Sequence, residues 1–389
     1  MPFNSRAGTY LSCSAAGESY QAFVPRPLPP DPPLVLDAEL HELMDQANRS
    51  LGRLDGITVF VPQPQLLLYS YVRKEAVLSS QIEGTQSSLS DLLLFEHEQA
   101  PGVPLDDVQE VSNYVAAMTY RLERVRGGFP LSLCLVREIH AVLLSHGRGA
   151  HKAPGEFRRS QNWIGGSRPG NARYVPPPDQ LMDCLGALEK FLHDDPVHTP
   201  TLIKAALAHV QFESIHPFLD GNGRLGRLLI TLLFCAEDVL KEPLLYLSLY
   251  FKAHRQDYYD LLQRVREEGD WEGWLRFFLT GVRQTAEQAA RAGQRLYHLF
   301  EQDRRRIEAL GRPAVSALRL HQLLQAQVMV PIAQAADRLE LSIPTVTASL
   351  KHLQLLGIVR ELTGRQRDRQ FVYDKYLSIL SEGTEPLDG

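Results

Sequence analysis

The sequence predicts a mainly α-helical protein with one small β-hairpin in its middle and a winged helix-turn-helix at its C-terminal end. Three observations carry that prediction. Apolar residues recur at helical spacing through most of residues 37–300. Residues 146–178 hold six glycines and five prolines, which no long helix tolerates, around two short strand-like runs. Residues 313–380 run helix, helix, turn, helix and then two strand-like segments around an arginine-rich turn.

The elements follow in order. Residues 22–34, AFVPRPLPPDPPL, form an extended proline-rich arm packed along the surface. A helix begins near Asp37, with Leu40, Leu43 and Ala47 on one stripe, and Gly52 and Gly56 break it. Residues 65–95 are helical again. Gly84 splits them, and Ser88 or Ser90 caps the second part. Further helices are expected at 108–125, 131–144, 179–192, 201–214, 224–237, 249–269 and 271–300. The hairpin arms are 162–164 and 173–175, joined by the turn-rich GGSRPGN. At the C-terminal end, 331–339 and 342–356 form the helix pair. Ser342 caps the second helix, Pro344 sits in its first turn and Gly357 ends it. Thr345, Thr347, Ser349 and Lys351 are its expected exposed residues, with Val346, Leu350, Leu353 and Leu356 inward. Arg365, Arg367 and Arg369 mark the wing. The division is 1–106, an arm and helical region; 107–300, a helical core; and 301–389, the winged module.

Composition limits what the chain can be. At 389 residues it is long enough for a substantial core without covalent staples. With 44% hydrophobic and 22% charged residues, wholesale disorder is excluded. Cys13, Cys134, Cys184 and Cys235 are scattered, with no CxxC, which fits neither a disulfide scaffold nor a zinc cluster and suits a reducing compartment. A pI near 6.2 argues against nonspecific nucleic-acid binding by the whole chain, while a local basic patch stays open. The N-terminus lacks the basic and apolar regions of a signal peptide, and no apolar run approaches a membrane span. The expectation is a soluble, cytoplasmic protein.

The sharpest chemical signal is residues 214–227, SIHPFLDGNGRLGR. A helix start presents free N–H groups and a partial positive charge. Gly221 and Gly223 let those amides form a phosphate nest, and Arg224 and Arg227 add donors near one helical face. Asp220 is a hard oxygen ligand suited to Mg2+ held against phosphates. His216, just before the turn, can take a proton from an attacking hydroxyl. Gly221, Gly223 and Gly226 match GxGxxG spacing, but after a helix rather than the strand a dinucleotide site needs, and there is no GxxxxGK[ST]. From the residues alone, a phosphate or nucleotide site competes with a plain capped helix bearing a solvent-facing His and Arg. His209 reads as a packed histidine, and no histidine pattern predicts zinc.

The string from His216 to Arg227 resembles the complete HPFx(D/E)GNGRxxR motif of Fic-domain proteins, with no departure from the pattern. The resemblance implies a Fic-type helical core that transfers AMP from ATP to a Tyr, Ser or Thr hydroxyl of a target protein and releases pyrophosphate. It implies His216 as general base and Asp220 as the Mg2+ ligand. Gly221, Asn222, Gly223, Arg224, Leu225, Gly226 and Arg227 would make up the nucleotide-binding segment, the Asn222 side chain helping the phosphate nest. Upstream, residues 79–84, SSQIEG, resemble the family's (S/T)xxxE(G/N) inhibitory motif. There Glu83 would pair with Arg227 and block the γ-phosphate, with Ser79 one turn earlier. Residues 154–158 and 163–166 resemble the family's hairpin flap, so Trp163, Ile164 and Gly165 are implied to hold a target segment by strand addition. Tyr258 is implied on the adenosine side, Tyr259 less so; the competing reading is aromatic packing. With the arm, 47–56 and 110–114, the resemblance spans roughly residues 25–290.

Homodimerisation is a family-level expectation. Two alternatives stay open: removal of AMP from a modified protein at the same site, with Glu83 placing a water, and a DNA-binding transcriptional regulator with a nucleotide-sensing core. The winged module points equally to DNA contact and to protein docking.

Overall fold

The computed structural model describes residues 6–15, 18–60, 64–97, 102–165, 172–362 and 369–387. Helices dominate. Two strands that the sequence reading did not anticipate open the chain: β1 (Gly8–Ala15) and β2 (Glu18–Pro25) pair antiparallel, from Gly8 opposite Pro25 to Ala15 opposite Glu18. The prolines at the end of the pair had masked the alternating pattern of ESYQAFV. The arm that follows, to Asp37, is irregular.

Helix α1 (Ala38–Phe60) starts where Asp37 accepts the Leu40 N–H at 2.9 Å. It runs straight through Gly52 and Gly56. Each glycine costs about 1 kcal/mol in a helix interior, and burial of Leu40, Ala47, Leu51 and Leu54 outweighs it. Their partner is α11 (Trp271–Glu308), which also continues beyond its expected end at Phe300. Helix α2 (Pro64–Ile82) ends at Gly84, whose φ is +100°, and α3 (Leu89–Glu96) begins at a capping box of Ser88 and Asp91. Then come α4 (Leu105–Arg126) and α5 (Leu133–Leu143).

The mid-chain hairpin is β3 (Trp163–Ile164) with β4 (Arg173–Tyr174); its connecting residues 166–171 lie outside the described residues. It does not stand alone. Ala22 of β2 pairs parallel with Tyr174, giving a four-stranded sheet in the order β1-β2-β4-β3, with β3 at one edge. Helices α6 (Pro178–Leu192), α7 (Thr201–Ile215) and α8 (Asn222–Ala236) pack in sequence. The expected helix 249–269 is two, α9 (Ser248–Ala253) and α10 (Arg255–Glu268), broken at His254.

The C-terminal module comprises α12 (Ala314–Gln327), β5 (Met329–Pro331), α13 (Ile332–Leu339), α14 (Ile343–Leu355), β6 (Val359–Glu361) and β7 (Gln370–Tyr373). Its sheet order is β5-β7-β6. Ser342 caps α14, accepting the Thr345 N–H. Ser349, expected to be exposed, is buried, because α14 packs on α12 and Ser349 Oγ donates to Ser316 Oγ at 2.9 Å. Arg365 and Arg367 lie outside the described residues. A last helix, α15 (Asp374–Ser381), was not foreseen. It returns the chain to α2: Tyr376 and Ser70 share a 2.6 Å hydrogen bond, Lys74 donates to the Glu382 carbonyl, and Gln81 to that of Thr384. Among the described residues no helix is long and apolar enough to cross a membrane.

Candidate active site

A cleft of about 240 Å³ lies at the junction of α7 and α8, and Glu83, Glu110, Arg148, Trp163, His216, Asp220 and Arg224 line it. His216 is the residue at which α7 ends. Its φ of +50° is a left-handed conformation that stops the helix and turns the chain into the loop. Burial pushes its imidazole down to about 4, and the positive charges of Arg266 and Arg158 act the same way. The ring is therefore neutral at pH 7 and able to accept a proton.

The loop returns to a helix at Gly221, whose φ of +74° suits glycine. The Asn222 side chain fastens this turn. It accepts the Phe218 N–H and donates to the Phe218 carbonyl, both at 2.9 Å. Those bonds commit its oxygen and one of its two amide protons to the loop. The amides at the start of α8 face the cleft with the positive end of the helix dipole. Leu225 is fully buried, and a Cβ on Gly226 would collide with Glu213 of α7, so both turn into the core and shape the nest only indirectly.

Glu83 occupies the mouth of this nest. Arg227, with its side chain 1% exposed, donates to Glu83 Oε1 at 2.7 Å and to Ser79 Oγ and the Ser79 carbonyl at 2.9 Å each. A Cβ on Gly223 would collide with Glu83 Oε1, so the glycine is what permits the carboxylate to lie against the helix start. Burial would raise the Glu83 pKa, but the charge and hydrogen bond of Arg227 bring it below the usual value. Glu83 thus stands as an anion in a place built for anions.

Asp220 keeps a half-exposed carboxylate at the cleft. Its Oδ1 accepts the Gly221 N–H at 2.6 Å, and Gly149 leaves room for Oδ2, since a Cβ there would come within 2.8 Å. Among the described residues no cluster of three His, Cys, Asp or Glu groups gathers around it. One hard carboxylate with space for waters and phosphate oxygens is a fitting donor set for Mg2+.

Three supporting residues were not recognised as such from the sequence. Glu110, 1% exposed, accepts from Arg224 Nη1 at 2.9 Å and forms an ion pair with Arg148, whose Nε lies 2.5 Å from Oε1, holding two cations at the cleft wall. His140 stacks on Phe218 with ring centroids 3.7 Å apart. Its Nδ1 accepts the Gly155 N–H, so its Nε2 carries the proton donated to the Asp220 carbonyl. Arg158 is buried beneath His216. Glu110 and Arg158 each stand within stretches that suggested the resemblance, but only the folded chain gives them partners.

The remaining candidates divide. Trp163 is half-exposed and lines the cleft, followed on the same edge strand by Ile164 and, just beyond the strand, by Gly165 at φ +60°. Tyr258 is 1% exposed, hydrogen-bonded to His209 Nε2 at 2.8 Å and stacked on Phe251. It has no surface to offer a nucleoside, which corrects its assignment to the adenosine side. Tyr259 is the half-buried member of the pair, 5.6 Å from the Arg255 guanidinium.

Comparison with known proteins agrees with this geometry. Residues 41–123 match the model of the Fic/DOC family N-terminal region, and residues 130–234 match that of the Fic/DOC family. The chain carries a Fic/DOC domain. It is 30% identical over 268 residues to a protein adenylyltransferase Fic of Aedes aegypti, covering 68% of this chain and 50% of that protein. A protein adenylyltransferase Fic of Drosophila yakuba is 30% identical over 212 residues, 53% of this chain and 39% of that one. The chain thus spans about half or less of the length of these curated relatives. A Fic family protein from Desulfovibrio desulfuricans G20 shares the fold, with a TM-score of 0.58 at 20% identity over 88% of this chain and 97% of that one.

Proposed function

We propose that this Fic protein is a protein adenylyltransferase that moves AMP from ATP to a hydroxyl of a target protein and is held back by its own Glu83. The observation that carries the reading is one cleft holding a neutral base, an anion nest and a hard carboxylate, with a carboxylate of the chain lying in the nest. His216 takes the proton of the target hydroxyl as its oxygen bonds to the α-phosphorus. The bond from that phosphorus to the bridging oxygen breaks, and pyrophosphate leaves. The α8 amides and Arg224 neutralise phosphate charge, and Arg227 does so once Glu83 moves aside. Asp220 would hold Mg2+, which supplies further charge neutralisation across the phosphates.

The half-exposed edge strand β3 gives a target segment a place to pair backbone to backbone, which registers a hydroxyl near His216 without reading side chains. The element order and sheet of the C-terminal module support a winged helix serving DNA contact or protein docking. A homodimer and a cytoplasmic location complete the reading. Sedimentation of the full chain tests the first, and salt-dependent duplex binding by the full chain tests the DNA role.

Incubation of the Glu83→Gly chain with ATP, Mg2+ and cell lysate, followed by mass spectrometry, tests the chemistry. The expected product carries an adenylyl group on Tyr, Ser or Thr. A phosphoryl adduct, or no adduct on lysate or on the chain itself, would overturn the assignment. Loss of AMP from a previously modified target on adding the wild-type chain would instead favour the reverse reaction.

A further inference from the structure

The Arg158 guanidinium meets an unusual set of partners. It lies buried, and no carboxylate among the described residues forms an ion pair with it. Backbone carbonyls surround it instead. Its Nε donates to the His216 carbonyl at 2.9 Å, and Nη2 donates to Pro176 at 2.7 Å and to Ile215 at 3.3 Å. Nη1 donates to Ser160 at 3.1 Å. Its own backbone N–H donates to the Pro217 carbonyl at 2.9 Å. Burial pulls the guanidinium down to about 10, so it stays charged at neutral pH.

These acceptors come from three places. Ile215, His216 and Pro217 are the end of α7 and the start of the loop that carries the base. Ser160 precedes strand β3 and Pro176 follows strand β4, so they are the two legs of the flap. The left-handed backbone of His216 is a conformation that non-glycine residues pay for, at about 1–2 kcal/mol. The bond from Arg158 to the His216 carbonyl helps fix it. One planar, five-donor group therefore sets both the base and the edge strand, and a lysine could not span the same fan of acceptors.

We propose that Arg158 is a positioning residue that locks His216 and both legs of the flap into one rigid unit, so that a target hydroxyl held on β3 arrives at a fixed place relative to the base. The inference rests on the adenylyltransferase reading. Arg158 touches neither the α8 amides nor Arg224 or Arg227, so it acts on the hydroxyl side of the reaction and not on ATP binding. A misplacement of about 1 Å at a reacting centre can cost on the order of 100-fold in rate.

The test uses the full chain with Glu83→Gly as the active reference. Arg158→Ala and Arg158→Lys are added separately, and kcat and the KM for ATP are measured for transfer to the chain itself or to a lysate target. The expected result is a kcat lower by about 10- to 100-fold with the KM for ATP unchanged. Low-millimolar guanidinium should restore part of the Arg158→Ala activity by filling the carbonyl cradle, while ammonium should not. Should Arg158→Ala fail to fold, as judged by circular dichroism, Arg158→Lys carries the kinetic test. An unchanged kcat in a folded variant overturns the proposal. So does a loss expressed only in the KM for ATP, or a folded Arg158→Ala chain that guanidinium does not restore. Absence of label in the Glu83→Gly reference would instead count against the adenylyltransferase reading itself.

Discussion

Replacing Glu83 should release the proposed adenylyl transfer, and the structure sets the size of the effect. The Glu83 carboxylate sits 2.7 Å from an Arg227 guanidinium whose side chain is 1% exposed, while the Glu83 side chain is 34% exposed. Breaking a fully buried ion pair costs about 3–5 kcal/mol, and an exposed one less than about 1 kcal/mol. Glu83 lies between these limits. Arg227 also keeps both contacts to Ser79, so it stays in place when Glu83 goes. A value of about 1–2 kcal/mol follows for the competition that a phosphate must win to reach Arg227, or roughly a 10-fold change in productive ATP binding. Glu83→Gly should therefore raise the initial rate of label incorporation from ATP about 10-fold at sub-saturating ATP. Glu83→Gln should fall between, because its amide oxygen still accepts from Arg227 without the charge. The assay is initial-rate labelling of the three purified chains side by side. Equal rates, or a lower rate for Glu83→Gly, would refute the argument that this carboxylate occupies the anion site.

Other consequences follow from the same geometry. The His216 imidazole is pushed to about 4 by burial, and the base works only when unprotonated. In the Glu83→Gly chain kcat/KM should then stay flat as pH falls from 8 to 6, and activity should be lost only on approach to pH 4. A limb near the ordinary histidine value of about 6.5 would contradict this. Glu110→Ala leaves the buried Arg224 with only the half-exposed Asp220 carboxylate, 3.8 Å away. It should cost about 3–5 kcal/mol in urea-induced unfolding and raise the KM for ATP, whereas unchanged stability would show that Arg224 finds another partner. Asn222→Ala removes both bonds to the Phe218 backbone and leaves that buried N–H unsatisfied, while the carbonyl keeps the Asn162 amide at 3.2 Å. Stability should fall by about 1–3 kcal/mol in the same unfolding measurement, with kcat falling as well.

The sequence made the helical class legible because the stripes of α4 to α8 repeat at one spacing and their ends carry clear punctuation, such as Ser88, Gly84 and the prolines before α6. Burial overrode local signals elsewhere. Gly52 and Gly56 failed to stop α1 because the packing against α11 outweighs two small propensity costs. The opening hairpin hid behind its prolines, and its pairing with the flap is a long-range contact that no local pattern announces. At the site, the residues proposed to meet the phosphates and the hydroxyl, His216 to Arg227, lie close together in the chain and were readable as a string. The residues that hold them were not. Glu110, His140 and Arg158 reach their partners across spans of chain, and Asn222 and Tyr258 proved to serve the loop and the core because hydrogen bonds, not residue type, decide which way a side chain is used.

The fate of the α-phosphate separates adenylyl transfer from every other use of ATP at this cleft. The Glu83→Gly chain and the Glu83→Gly, His216→Ala chain are incubated with Mg2+ and ATP labelled at either the α- or the γ-phosphate. Protein-bound label is expected from the α-position only, with the γ-label recovered in pyrophosphate, and no protein label when His216 is alanine. Protein label from the γ-position, or undiminished α-label without His216, would contradict that expectation.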